Sequence, residues 1–340
     1  MDSKSRILEI VKRRNPDKVG FWIGTPHKET LELYSAQLNL PAKKVADHFD
    51  SDCCFVCADL CDPWKHPSGK PAIWDFLGIS HKEAYSQPGP LADATSVEDV
   101  NKLDWPDPAY LDFSKAIVEL QDAKYGQKAV LSGSWSHFFH IVADLFGMEE
   151  YLIKMHTEPA VVEAVTERVV DFFVGANERF CQKCAQYCDV MFYGNDFGSQ
   201  QDLLMSPAMF EKFVMPGLRR LIEVGKKYNK PVMLHSCGSI YRVIPMLIDA
   251  GVDMIHPLQA RANGMDAVTL AKLYKGKVAF AGAVDTQELL VNGTPQMVMD
   301  EVRRLKDILG PHYIVSPSHE TLLPNVPLAN AEAMMKAAKE

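Results

Sequence analysis

No stretch of the 340-residue chain approaches the roughly eighteen consecutive apolar residues of a membrane-spanning helix, so the sequence predicts no membrane partner. Basic charge is not in surplus either. Lys and Arg number 36 against 44 Asp and Glu, a net charge of -8, which leaves no basic surface for nucleic acid. The opening MDSKSRILEIVKRRNPDKV lacks the apolar core of a signal peptide and reads as an amphipathic helix, so a cytoplasmic location is expected. Repeats and low-complexity linkers are missing as well. Nothing marks a domain boundary, and residues 1–340 are expected to form one domain, as α/β barrels of this length commonly do.

What is present is an apolar chain, 47% hydrophobic, punctuated by short β-branched runs that stop at Gly, Asp, His or Ser. These are VGFWIGTPH (19–27), DCCFVCAD (52–59), AVLSGSWSH (129–137), DVMFYGNDFG (189–198), PVMLHSCG (231–238), DMIHPLQ (253–259), KVAFAGAVD (277–285) and YIVSPSH (313–319). Helical patterns lie between them. EPAVVEAVTERVVDFFVGANERFCQKCAQY is one; SPAMFEKFVMPGLRRLIEVGKKY starts with an N-cap serine and a first-turn proline; TPQMVMDEVRRLKDILG starts the same way and stops at glycine. Eight strands alternating with helices predict a single parallel (β/α)8 TIM barrel, whose strands' carboxyl ends carry the site. The Pro-, Trp- and Gly-rich segment 62–110 fits the repeat poorly and is expected to be an excursion near the barrel mouth.

Eight cysteines are unevenly placed. Cys53, Cys54, Cys57 and Cys61 sit in and after a strand, where side chains alternate faces, and Cys181, Cys184 and Cys188 share one face of a helix. Both groups read as structural thiols. Cys237 stands apart, two residues after His235 at the end of the fifth run. An imidazole and a thiolate at that spacing can reach one zinc ion at about 2.0 to 2.3 Å, and catalytic zinc usually takes three protein ligands and leaves one position open. Strand ends converge on one mouth, so His319 after the eighth run is the favoured third ligand, with Glu320, His256 and Gln259 as alternatives. A bare HxC can equally be a helix start with a small buried thiol.

Three aspartates, Asp59, Asp196 and Asp285, also end strands, where each could accept a hydrogen bond from a ligand histidine and orient its ring, or cap a helix; Asp285 before TQELL suits a cap at least as well. Asp196 is taken as catalytic beside His235 and Cys237. Trp135 and His137, with His140, are placed at the mouth, where a flat aromatic surface would suit a corrin face.

The chain resembles the uroporphyrinogen decarboxylase superfamily, specifically its branch of zinc-dependent methylcobamide:coenzyme M methyltransferases and related corrinoid enzymes. The matching stretches are NDFGSQQDLLMSPAMFEKFVMPGLRRL, HSCGSIYRVIPMLIDAGVD, FAGAVDTQELLVNGTPQMVMDEV and NVPLANAEAM, with PDKV (16–19) and LDWPDP (103–108) upstream. The resemblance implies zinc held by His235, Cys237 and a further cysteine after the last strand, and methyl transfer to or from a corrinoid (cobalamin) carried by a separate corrinoid protein, with a small-molecule methyl donor or acceptor. Here the third position is His319. Two neutral ligands and one thiolate leave the metal more positive, which argues against coenzyme M as acceptor and slightly favours polarising a methyl donor.

A uroporphyrinogen decarboxylase-like carboxy-lyase is the first alternative. Those enzymes resemble one another in an arginine-rich first strand that clamps carboxylates, whereas VGFWIGTPHKE contains no arginine; only Lys28, Lys65 and Lys70 lie nearby. A non-catalytic zinc- or corrinoid-binding subunit of a methyl-transfer complex is the second.

Overall fold

The computed structural model describes all residues except 62–63, 75–87 and 126. Eight parallel strands form one sheet: β1 Gly20–Phe21, β2 Cys53–Cys57, β3 Ala129–Gly133, β4 Val190–Gly194, β5 Val232–His235, β6 Met254–Leu258, β7 Ala279–Val284 and β8 Tyr313–Pro317. Their order is β1-β8-β7-β6-β5-β4-β3-β2. Each strand lies inside one of the eight runs read from sequence, and helices separate most of them, so the fold is a nearly closed (β/α)8 barrel.

Two departures from the sequence reading have local causes. The first run breaks after Ile23 because Gly24 turns the chain at φ +79° against the Glu320 carbonyl; Thr25–Pro26 then pairs in parallel with Thr321–Leu322. The helix expected from Ser206 to Tyr228 is two helices, Pro207–Phe213 and Met215–Lys227. Pro216 cannot donate to a preceding turn, and the break falls just before it.

Inside the barrel, inward residues stack in layers: Trp22, Cys53, Leu131, Phe192, Met233 and Met254 are among them, each at most 2% exposed. Helix Ser3–Val11 closes the amino-terminal end by burying Ile7, Ile10 and Val11 against this interior. Cations on this helix and in the turn after it pair with acids directly before alternate strands. Lys4 meets Asp189 at 2.6 Å, Arg6 meets Asp52 at 2.6 Å, and Arg13 meets Asp253 at 3.5 Å.

The ring is incomplete as a ladder between β1 and β2. Asp52 fills that seam: its amide donates to the Phe21 carbonyl at 2.8 Å, and its carboxylate accepts the Phe21 amide at 2.9 Å. Ser51 Oγ accepts the Ile23 amide at 3.1 Å beside it.

Two described residues of the 62–110 excursion pack on an outer helix. Trp74 lies edge-on to Phe172 and stacked on Phe173, and Pro108 abuts Gly175, all on helix Pro159–Cys184. No helix among the described residues is long and apolar enough to cross a membrane.

Candidate functional site

Alternation along the strands decides what reaches the carboxyl-end mouth. Met233 points inward on β5 and so, two residues on, does His235; Met254 and His256 repeat the pattern on β6, and the register pairs His235 with His256. His235 is 3% exposed and His256 fully buried. Their Nδ1 atoms lie 3.1 Å apart, so one ring must donate to the other.

The charges around the two rings assign the roles. Burial works against protonating His235, but Glu320, Cys237 and Asp196 outweigh it and hold its pKa well above the ordinary histidine value. Burial, with His235 and His319 nearby, pushes His256 well below. His256 is therefore neutral and accepts from His235 Nδ1–H. Its own proton then sits on Nε2, which is buried with no partner. His235 Nε2 is left facing Cys237 Sγ at 3.4 Å and Asp196 Oδ1 at 3.2 Å.

Asp196 follows β4 and ties two loops together. Its carboxylate accepts the Cys237 amide at 2.8 Å, and its own amide donates to His140 Nε2 at 3.0 Å. Burial raises its pKa, but His235 and His140 overcome that and hold the carboxyl well below its usual range. The loops NDFG and HSCG meet backbone to backbone, since a Cβ on Gly238, at φ +83°, would lie 2.2 Å from the Gly198 carbonyl oxygen. Gln259 finishes the turn by accepting the Gly238 amide at 2.6 Å.

His319 and Glu320 enter from the loop after β8. His319 hydrogen-bonds Cys237, and that bond is the main reason its pKa is pushed up to about 9. Its Nδ1 accepts the Thr321 amide at 3.0 Å, with the Thr321 carbonyl 3.3 Å away, so the same residue serves either tautomer. Glu320 Oε2 is 3.6 Å from Nδ1 of both His235 and His319 and is buried without a hydrogen bond. The loop is braced from outside by Thr30 Oγ1 and Tyr34 OH, which donate to the Leu322 and Val326 carbonyls at 2.8 Å.

Two groups of metal-capable side chains thus share Cys237: Asp196–His235–Cys237 and Cys237–His319–Glu320, each with ligand atoms within 4.8 Å of one another. No other such group occurs among the described residues. His235 and His319 both reach the thiol, but not within one group of three.

The remaining sequence candidates separate clearly. Trp135 is partly exposed, with its ring 5.2 Å from both Phe192 and His235; a Cβ on Gly194 would meet it at 2.0 Å, so that glycine makes its space. His137 is buried. It is 5% exposed, with its ring 5.7 Å from that of Phe173. Asp59 accepts from Ser134 Oγ at 3.0 Å and the Trp135 amide at 2.6 Å, and its burial lifts its pKa to about 6. Asp285 accepts the amides of Gln287, Glu288 and Leu289 and is a cap. Burial raises the pKa of Cys53, Cys54, Cys181, Cys184 and Cys188, as expected of structural thiols. The side chain of Cys61 lies outside the described residues.

Beside His319 opens a pocket of about 200 Å³, lined also by Gln259, Thr286, Gln287, Ser318 and Asn325. Sequence reading had not assembled it. Its only signal was the polar residue at each strand end from β6 to β8.

The fold is that of an α/β barrel that gathers a thiol, imidazoles and carboxylates at its carboxyl-end mouth, groups that could hold a metal ion. Residues 77–340 match the uroporphyrinogen decarboxylase (URO-D) family, and the chain belongs to that family. Among curated relatives it is similar to a methylated-thiol–coenzyme M methyltransferase of Methanosarcina mazei, 25% identical over 209 residues, covering 59% of this chain and 51% of the relative. A methylcobamide:CoM methyltransferase of Methanosarcina acetivorans is 22% identical over 223 residues, covering 65% of this chain and 61% of the relative. The match spans about half to three fifths of these relatives' length. A methyltransferase structure from Methanosarcina mazei shares the fold with TM-score 0.69 at 14% identity, covering 100% of this chain and 98% of that one.

Proposed function

We propose that this chain is a corrinoid-linked methyltransferase that works at a zinc ion held by Cys237, His235 and His319, with Asp196 as the adjoining catalytic carboxylate. The observation that carries the reading is the convergence of these groups on one thiol, in a family whose curated relatives here are methyltransferases. The donors suit a borderline-soft divalent ion. Glu320 Oε2 supports the fit: a buried carboxylate oxygen without a hydrogen-bond donor, near two imidazoles, calls for positive charge in the cluster.

When bound, zinc would supply a Lewis acid that makes a thiol more acidic or polarises a methyl-bearing oxygen. The chain's own residues set up that role. His256 accepts a hydrogen bond from His235 Nδ1–H, so that a metal displacing the other ring proton of His235 would meet the Nε2 lone pair, while the Asp196 carboxylate fixes the backbone amide of Cys237. In the thiol direction a corrinoid presented at the mouth would supply the methyl group without its bonding electrons, the acceptor sulfur would supply the new pair, and the thiol proton would pass to solvent. A pocket of about 200 Å³ is too small for a corrin, which a carrier protein would lay over the mouth beside Trp135.

Decarboxylation of a polycarboxylate is less well supported. Among the described residues no Lys or Arg lines the pocket; Lys28 and Lys70 are exposed and face Glu32 and Asp104, and Lys65 is exposed too.

Exchanging Cys237 for serine tests the reading, because a serine hydroxyl is a poor zinc ligand at neutral pH. Stoichiometric zinc and methylcobalamin demethylation are expected in the parent, and loss of both in the variant with a thermal midpoint little changed. Full activity in the variant would remove Cys237 from the mechanism.

A further inference from the structure

We infer that the pocket beside His319 takes an uncharged, hydrogen-bonding methyl acceptor or donor, such as a neutral thiol, alcohol or ether, and discriminates against the sulfonate or carboxylate tails of anionic ones. This rests on the methyl-transfer reading and deepens it.

Hydroxyls, amides and apolar side chains make the wall. Thr286 and Ser318 hydroxyls lie 3.2 Å apart, Gln287 and Asn325 are exposed at the rim, and His319, Thr321, Leu323 and Val326 complete the lining. Gln259 spends its oxygen on the Gly238 amide, which leaves its NH₂ group to donate. These groups can satisfy a hydroxyl or ether oxygen. With His319 neutral as a zinc ligand, none of the described residues lining the pocket carries a full positive charge, and an anion held there without a cationic partner loses hydration that nothing replaces.

The surroundings strengthen the bias. A metal dication in the cluster would face the Cys237 thiolate and the Asp196 and Glu320 carboxylates, three negative charges against two positive. Arg261 is the described cation nearest in sequence to this wall, and it is engaged by Asp285 at 3.6 Å. The coenzyme M in the names of the curated relatives carries a sulfonate tail, so the pocket sets this chain's small substrate apart from theirs.

The test compares two thiols of equal length, neutral 2-mercaptoethanol and anionic 2-mercaptoethanesulfonate, on zinc-loaded protein. Affinity is measured by ligand-observed NMR, and methyl transfer separately by the spectrum of methylcobalamin. The neutral thiol is expected to bind about tenfold tighter or more, a ratio that narrows with salt and reverses toward the sulfonate in Gln287→Lys. Equal or tighter sulfonate binding in the parent overturns the inference, as does no detectable binding of either thiol. Sulfonate binding lost in Arg261→Ala would overturn it by identifying a cationic anchor. If the neutral thiol binds preferentially but is never methylated, methyl transfer to thiols fails and the pocket's selectivity stands.

Discussion

The two ends of β2 carry aspartates seven residues apart, Asp52 at the amino end of the barrel and Asp59 at the carboxyl end, and the barrel treats them in opposite ways. Asp52 is paired with the Arg6 guanidinium at 2.6 Å and closes the seam with two further hydrogen bonds to Phe21. Asp59 is equally buried, at 8% exposure, but has only a hydroxyl and an amide as donors. At the amino end, polar groups are placed to be satisfied. The carboxyl end instead keeps Asp59 without a cationic partner and, among the described residues, leaves His256 Nε2 and Glu320 Oε2 without a hydrogen bond, the last two at the metal-capable cluster. Under the proposed function, stability and chemistry are thus assigned to opposite faces of one barrel.

The largest effect that could break this contrast is at the amino end. Arg6→Ala leaves Asp52 buried and unpaired and is expected to cost about 3 to 5 kcal/mol in denaturant unfolding, with zinc bound per folded molecule unchanged. A small cost, or a loss of zinc, would show that the two faces are not separate.

Asp59 gives the next effect, through pH. Its pKa is raised from 3.8 to about 6, so its ionised form is penalised in the folded protein; the associated stability is fully present below pH 3.8 and is lost as pH rises through 6. Asp59→Asn keeps an acceptor and removes the charge. The variant is expected to exceed the parent by up to about 3 kcal/mol at pH 8, with the difference vanishing near pH 4. A pH-independent difference would refute the assignment.

Gly194→Ala sharpens the comparison from inside the mouth. The new methyl displaces Trp135, at about 1 to 3 kcal/mol for overpacking, and loosens the His235 ring that Trp135 packs against. Zinc affinity should fall with it, read by competition with a chelator. Smallest is Asp285→Ala, which removes a cap and should cost about 1 kcal/mol without changing zinc content.

Much of this was legible in the sequence because strand ends are marked by abrupt changes of residue type. All eight runs were located by where apolar stretches stop, and HSCG was singled out because two soft ligands follow such a stop. The interior partners were harder to rank. His256 touches His235 through the register of β5 with β6, and Asp59 touches Trp135 across β2 and β3, relations between strands that no local pattern encodes. Glu320 and Gln259 were weighed only as lesser ligands; Gln259 instead holds the Gly238 amide. The break before Pro216 was missed because the periodicity runs across it, while the proline's lost donor acts only once the helix is built.

The seam between β1 and β2 gives the ring one link held by a serine and an aspartate where the others are held by ladders. In native-state hydrogen exchange the amides of Phe21, Ile23 and Asp52 should therefore report a low-energy opening, well below the global unfolding seen by the amides of β5 to β7. Such an opening would let the segment from β1 through helix Lys28–Leu38 swing as a unit. That unit braces the loop carrying His319 and Glu320, so slow breathing at the seam would reach the mouth as a change in how long the cluster stays assembled.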